Sequence, residues 1–375
     1  MPLFTIADLI LLVIIAVILF IFLKPKGVLA GVKIMLVSLR IFANHKAMFL
    51  QNALFLFAIY LFIPIIFIAL IYGIAIALNM VASGSTNYFL NSFIAIAGLI
   101  WIFGSIILGA LSIPLLISFA YVIFYRQLLQ ILMEDNSERK FSFKEVINQE
   151  IKNFSKFLKF LLVLISITVS ARIEAFLMMV KFWGFAGRFN LSRYFLPNYI
   201  KQVLRYVPME YALYHNSPKR AVIKSYQINR EWTALSVYGI AVSFLITMII
   251  IFFICYIMSH MSDINALFSM EALVEKIGAV LATILFWFVF IAVILSFSIP
   301  LSLLINSFYF IVYLNYNNSI IEGKTDKFAK DFGLFGSFLN SVSELLARKF
   351  GSEPIPIYEK YIPIKEEYKK MIRLF

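Results

Sequence analysis

Arg172 and Glu174 interrupt an apolar run that reaches from Phe160 to Val180, and Lys181 follows seven residues after the glutamate on the same helical face. Charges at membrane depth are costly unless paired or watered, so such a group can hold an ion pair or line a transport path. At the interface the same side chains reach the headgroups or one another and mark a turn, which is the placement favoured here. Other chemistry is thin. His45, His215 and His260 are scattered and none pairs at helical spacing, so no zinc site is expected. Gly323-Lys324-Thr325 is like the end of a phosphate loop, but Asn318 stands where its first glycine belongs. No Gly-x-Ser-x-Gly elbow occurs, and no acidic pair lies within a span. Neither catalysis nor a cofactor or metal is expected.

The elements that position these residues are apolar. Ala7–Leu23, Ala47–Leu78, Ser92–Tyr125, Thr233–Met258 and Ile277–Leu314 each approach or exceed the ~20 residues that cross ~30 Å of hydrocarbon as helix. Of 375 residues, 62% are hydrophobic and 14% charged, which excludes an ordinary soluble domain. The net charge of +13 would suggest nucleic acid in a soluble chain. Here the basic residues cluster beside spans, where they set topology and meet anionic headgroups, so membrane lipid is the expected partner and nucleic acid is not. Cys255, the only cysteine, rules out an intramolecular disulfide and a thiolate metal cluster.

Loop charge orients the spans. Lys24, Lys26, Lys33, Arg40 and Lys46 occupy the first loop without an acidic residue, whereas Asn79–Asn91 is uncharged. The first loop is then cytoplasmic and the second external. The N-terminus is expected outside and the tail from Asn315 in the cytoplasm. Because Met1–Asp8 has no basic n-region and no small-residue cleavage site follows the first span, that span reads as an anchor. Neither half of Phe157–Asn190 spans alone. The expected fold is therefore an all-α integral membrane protein: five full transmembrane helices plus a re-entrant or interfacial helical hairpin, with seven crossings as the alternative, and amphipathic cytoplasmic helices. Its parts are an anchor at 1–23, a first amphipathic-helix and two-span unit at 24–159, the short region 160–200, a second such unit at 201–316 and a tail at 317–375.

Two units are suggested because Ser112-Ile113-Pro114-Leu115 recurs, 186 residues on, as Ser298-Ile299-Pro300-Leu301. Both strings sit late in spans that run outside to inside, and Lys33–Lys46 matches Arg220–Thr233 at nearly the same offset, with Ser38 against Ser225. This reads as a parallel duplication. Pro64, Pro114 and Pro300 are candidate kinks, since each removes a backbone hydrogen bond. Ser142 with Glu145 forms a capping box opening a helix with Ile147, Ile151, Phe154 and Leu158 on one face. Ser217-Pro218 starts another, with Ala221, Val222, Ile228 and Trp232 on its apolar side. Its Lys219, Arg220, Lys224 and Arg230 are the expected contacts to anionic lipid, packing on a neighbouring cytoplasmic helix being the alternative. In the tail, Phe328, Phe332, Phe335, Leu339, Val342 and Leu346 form one face for the bundle or a protein partner, and Gly351–Phe375 reads as extended first and helical last.

The run Val207-Pro208-Met209-Glu210, then Ser217-Pro218-Lys219-Arg220-Ala221 and Lys224-Ser225 before an aromatic-rich span, resembles a signature in several uncharacterised prokaryotic polytopic membrane families. The likeness covers about residues 30–316 and leaves out Met1–Lys26 and the chain after Tyr316. It implies architecture and no activity. The sequence thus points to a non-enzymatic membrane scaffold or assembly subunit, with a transporter or channel near Arg172 and Glu174 as the alternative. The abundance of Ile, Phe, Lys and Asn suggests the cytoplasmic membrane of a prokaryote. Cysteines at Ser85 and Ser262, in a Cys255→Ser background, should react with an impermeant maleimide in intact cells, and one at Ser137 should not. Labelling of Ser137 from outside would reverse the orientation.

Overall fold

Hydrocarbon offers no partners to backbone N–H and C=O groups, so apolar runs of this length fold as helices that satisfy themselves. The computed structural model describes residues 25–83, 88–133, 143–165, 204–214, 218–231, 279–321 and 362–368, together with short helical pieces at 238–239, 242–243, 250–252 and 254–256. Its helices are α1 (Pro25–Asn44), α2 (Lys46–Ser83), α3 (Tyr88–Leu132), α4 (Phe143–Lys152), α5 (154–165), α6 (Val207–Tyr214, preceded by a 3-10 turn at Leu204–Tyr206), α7 (Pro218–Glu231) and α8 (Ala279–Ile321). Among the described residues the only β pairing is an isolated antiparallel bridge between Met133 and Ile364.

Three stretches are long and apolar enough to cross a membrane: Lys46–Phe67 in α2, Ser112–Leu132 in α3 and Phe288–Ser319 in α8. They fall on three of the five expected spans. The expected spans Ala7–Leu23 and most of Thr233–Met258, and the hairpin beyond residue 165, lie outside the described residues. With 38, 45 and 43 residues, α2, α3 and α8 overrun the sequence-predicted segments. At 1.5 Å per residue each is about 57 Å long or more, well beyond the ~30 Å of a hydrocarbon core. Pro64, Pro114 and Pro300 each lie inside one of these helices, which continue on either side.

The chain divides into two compact units. One comprises Ala47–Tyr121 and Ile249–Leu301 and carries many large apolar side chains on its exterior, among them Phe62, Ile66, Phe93, Ile100, Trp101, Phe103 and Phe297. A surface of that kind suits lipid and not water. The other comprises Met1–Lys46, Val122–Met248 and Ser302–Phe375, and there the C-terminal parts of α3 and α8 are buried from Val122 to Tyr125 and from Phe308 to Leu314. Tyr125 stacks on Phe310 with ring centroids 5.4 Å apart and donates a hydrogen bond to Asn306 Oδ1 at 2.9 Å. The segment 362–368 is pinned to the ends of the same helices. Asn318 grips the peptide of Ile362 at both ends, donating to its carbonyl at 2.8 Å and accepting from its N–H at 3.2 Å, while Lys365 N–H donates to Leu132 O at 2.9 Å.

Two local expectations changed. The helix opened by the capping box forms, but its buried residues are Val146 and Glu150, and Ile151 is 56% exposed. A turn at Asn153, closed by its N–H to Glu150 O at 3.1 Å, separates α4 from α5, and the buried side continues into α5 through Phe157, Phe160 and Leu161. Asn317 and Asn318, at the start of the expected tail 317–375, belong to α8 and are buried.

Close approach is set by glycine at two of the described positions, Gly31 against the ring of Tyr238 and Gly239 against that of Tyr309. A Cβ on Gly239 would meet the ring of Tyr309 at 2.5 Å, and that ring is fully buried against Tyr206 and Phe308. Overpacking of this type typically costs ~1–3 kcal/mol. Gly239→Ala should therefore lower the thermal midpoint in detergent, whereas Gly104→Ala, whose Cβ would meet nothing within 4 Å, should leave it unchanged or raise it slightly.

Candidate functional site

The polar residues that matter lie on the sequence-predicted helix that opens at Pro218 and on its neighbours. Pro218 opens α7 as an N1 proline, and the buried stripe of that helix is Ala221, Val222, Lys224, Ser225, Ile228 and Asn229. A lysine inside an apolar stripe must find a counter-charge. Lys224 Nζ lies 3.3 Å from Glu210 Oε2 on α6 and donates to Asn317 Oδ1 on α8 at 2.7 Å. Tyr313 OH donates to Glu210 Oε2, and Asn317 Nδ2 donates to Tyr214 Oη at 3.0 Å. Lys224 also sits over the rings of Tyr214 and Tyr313, 5.2 and 5.0 Å from their centroids. Lys224 is 4% exposed and Glu210 0%. Ser225 ties α7 to the 3-10 turn ahead of α6, accepting at Oγ from Tyr206 N–H at 3.3 Å, while Asn229 Nδ2 donates to Ser225 O at 2.8 Å.

A second buried pair meets the same short helix. Arg126, near the end of α3, holds Nη1 2.6 Å from Glu150 Oε1 and donates from Nε to Ala212 O at 3.2 Å. The Glu150 contact is an ion pair by distance, while neither carboxylate oxygen has an aligned hydrogen bond. Burial pushes the Glu150 carboxyl above its ordinary range and Arg126 works against it. The folded protein then holds that proton more tightly than the unfolded chain does, so this group favours folding less as pH climbs from its ordinary value through the raised one. Tyr211, packed on Phe160 and Phe157 at 4.4 and 5.5 Å between centroids, has its hydroxyl pushed up to about 12 by burial and by the Glu150 charge. It remains neutral at physiological pH. Arg205 completes the cluster, with its guanidinium carbon 4.1 Å above the Tyr309 ring and Nη1 3.5 Å from Ser243 Oγ.

Placement of the expected residues is mixed. Arg172, Glu174 and Lys181 lie outside the described residues, as do the side chains of Lys219 and Arg230. Arg220 is partly exposed. Lys224 departs from the lipid contact expected of it: it is interior, because its position three residues after Ala221 and four before Ile228 is on the buried stripe. Sequence reading missed Arg126, Glu150, Tyr313 and Asn317 as site residues. That same i, i+3, i+7 spacing was the available signal for Lys224, but nothing local pairs residues 86 or 93 positions apart. No groups of three or more His, Cys, Asp or Glu suited to a metal occur among the described residues.

The class that fold and site define is an α-helical membrane protein with a buried ionic network among its helix ends. No protein-family model, curated protein or solved structure matches the chain.

Removing one member of a buried pair strands the other charge, typically at ~3–5 kcal/mol. Lys224→Met and Glu210→Gln should each lower unfolding stability in detergent strongly, and the double variant should lose less than the two losses added. Additive losses would mean that the two side chains act independently.

Proposed function

We propose that the protein is a non-enzymatic polytopic membrane component, a scaffold or subunit of a membrane assembly. The observation that carries this reading is the closure of the buried charges upon one another: Lys224 with Glu210 and Asn317, and Arg126 with Glu150 and the Ala212 carbonyl. Charges arranged this way fasten helices together, whereas a path for ions or solutes needs polar groups facing water. We further propose five crossings with the N-terminus outside and the C-terminus in the cytoplasm of a prokaryotic cell, on the loop charges. The two units are proposed as a duplication. In support, α3 and α8 meet at Tyr125 and Phe310, and the 186-residue offset equates Phe124 with Phe310, within one position of that contact.

Native purification in mild detergent, followed by crosslinking and mass spectrometry, tests the reading. A stoichiometric protein partner should be retained, and the purified protein in sealed vesicles should pass neither ions nor small solutes. Flux that depends on Glu174 and is lost in Glu174→Gln, without a partner, would replace the scaffold by a transporter.

A further inference from the structure

Burial alternates along residues 362–365. Ile362 and Ile364 are 6% and 5% exposed, while Pro363 and Lys365 are partly open. A period of two belongs to an extended peptide with one side seated. Tyr368, 2% exposed, follows as a third anchor.

The seat is made by helix ends that are distant in sequence. Asn318, near the end of α8 and 44 positions from Ile362, donates to the Ile362 carbonyl at 2.8 Å and accepts from its N–H at 3.2 Å. At the end of α3, Leu132 O accepts from Lys365 N–H at 2.9 Å, and Met133 pairs with Ile364 in the antiparallel bridge. At the end of α1, the Asn44 side chain is hydrogen-bonded to Tyr368, with the Arg40 charge in range. The bonds from Asn318 and Leu132 go to the main chain of the segment, so they hold an extended backbone whatever its sequence. Choice of sequence falls to the buried anchors. Main-chain pairing for affinity and alternate side chains for specificity are the division found where a receptor binds a peptide by adding a strand. Pro363 suits its place, since these bonds fall on Ile362 and Lys365 and draw on no N–H between them. The two longest helices of the seat are also joined without the segment, through Tyr125 on Phe310 and Asn306.

We propose that the ends of α1, α3 and α8 form a binding site for an extended peptide, of the pattern Ile-Pro-Ile-basic with an aromatic residue four positions after the second isoleucine. Residues 362–368 are its resident, detachable ligand. The assignment does not depend on the scaffold reading.

The test uses the full chain in detergent with a site-specific protease sequence inserted between Gly351 and Ser352, cut after folding. A tethered ligand is held at an effective concentration of up to roughly millimolar, so the cut fragment should leave on dilution to about micromolar protein. Its release should lower the thermal midpoint, and a synthetic peptide of the sequence Ser352–Phe375 should restore it in a saturable way. The uncut chain should take up little of the same peptide in fluorescent form, because its own segment fills the seat. Placing Ile362→Asp and Ile364→Asp in the peptide should weaken binding by about a hundredfold or more. Asn318→Leu in the cut chain should weaken the unaltered peptide about tenfold. A fragment that survives prolonged dilution and never exchanges with labelled peptide would overturn the proposal, by making the segment a fixed part of the fold. So would a cut chain that sheds the fragment and regains no midpoint with peptide. Equal binding of the Asp-substituted peptide would overturn the recognition itself.

Discussion

The contact between Glu210 and Lys224 constrains more of the structure than its size suggests. Both side chains are withdrawn from water, and withdrawing either alone would cost several kcal/mol. The charges come from two short helices joined by a three-residue connection. Tyr313 and Asn317 from α8 complete the shell around them. The arrangement is all or nothing: if α8 shifts by a turn, the carboxylate loses its phenol and the ammonium loses its amide together. Such a network rewards a single register and penalises near alternatives, which makes it a device of specificity.

Specificity of that kind is needed because the apolar parts cannot supply it. Side chains facing lipid gain little from exchanging lipid for another helix, so long apolar stretches of α2, α3 and α8 can slide and rotate at small cost. Their ends do not slide. Arg126 ties the end of α3 to α4 and α6, Tyr125 ties it to Asn306 on α8, and Arg205 stacks on Tyr309. Residues 204–214 are the common element of these contacts, touched by α3, α5, α7 and α8. A stretch of eleven residues thus helps to set the registers of α3 and α8, each about four times its length.

The long helices were legible from residue type alone, since an apolar run above ~20 residues has no other fold in hydrocarbon. Pro218 was legible as a helix start for a local reason, its missing N–H and fixed φ. Helix ends were less so. Asn317 and Asn318 fall in the expected tail, yet they are helical and interior, with Lys224 and the Ile362 peptide occupying their amides. The face of α4 was misjudged because Ile147 and Ile151 outweigh a glutamate in any apolar pattern, while the partner that draws Glu150 inward lies 24 residues upstream. Glu210 and Lys224 both stand in the quoted runs around residues 207–225, yet their pairing depends on how α6 packs against α7. Charge in sequence gives the amount of electrostatic material, and only the fold says which of it is spent inside.

The C-terminal segment extends the same logic to the chain's other end. Asn318 reads the Ile362 peptide with both halves of its amide, as one strand reads another, and Leu132 lends a carbonyl that the end of α3 would otherwise leave open. Burial raises the Tyr368 hydroxyl and also draws in the influence of Asn44 and Arg40 from α1, and His45 is held low by burial and by Lys365. Seven residues thereby contact three separate helix termini. Each terminus has orphan backbone groups or a charged side chain to satisfy, and the extended part of the segment, with Pro363 in it, offers backbone groups ahead of the short helical turn at 366–368. The segment acts as a shared cap. Because two of the helices it caps, α3 and α8, are also held by the ionic network, loss of either device would loosen the other.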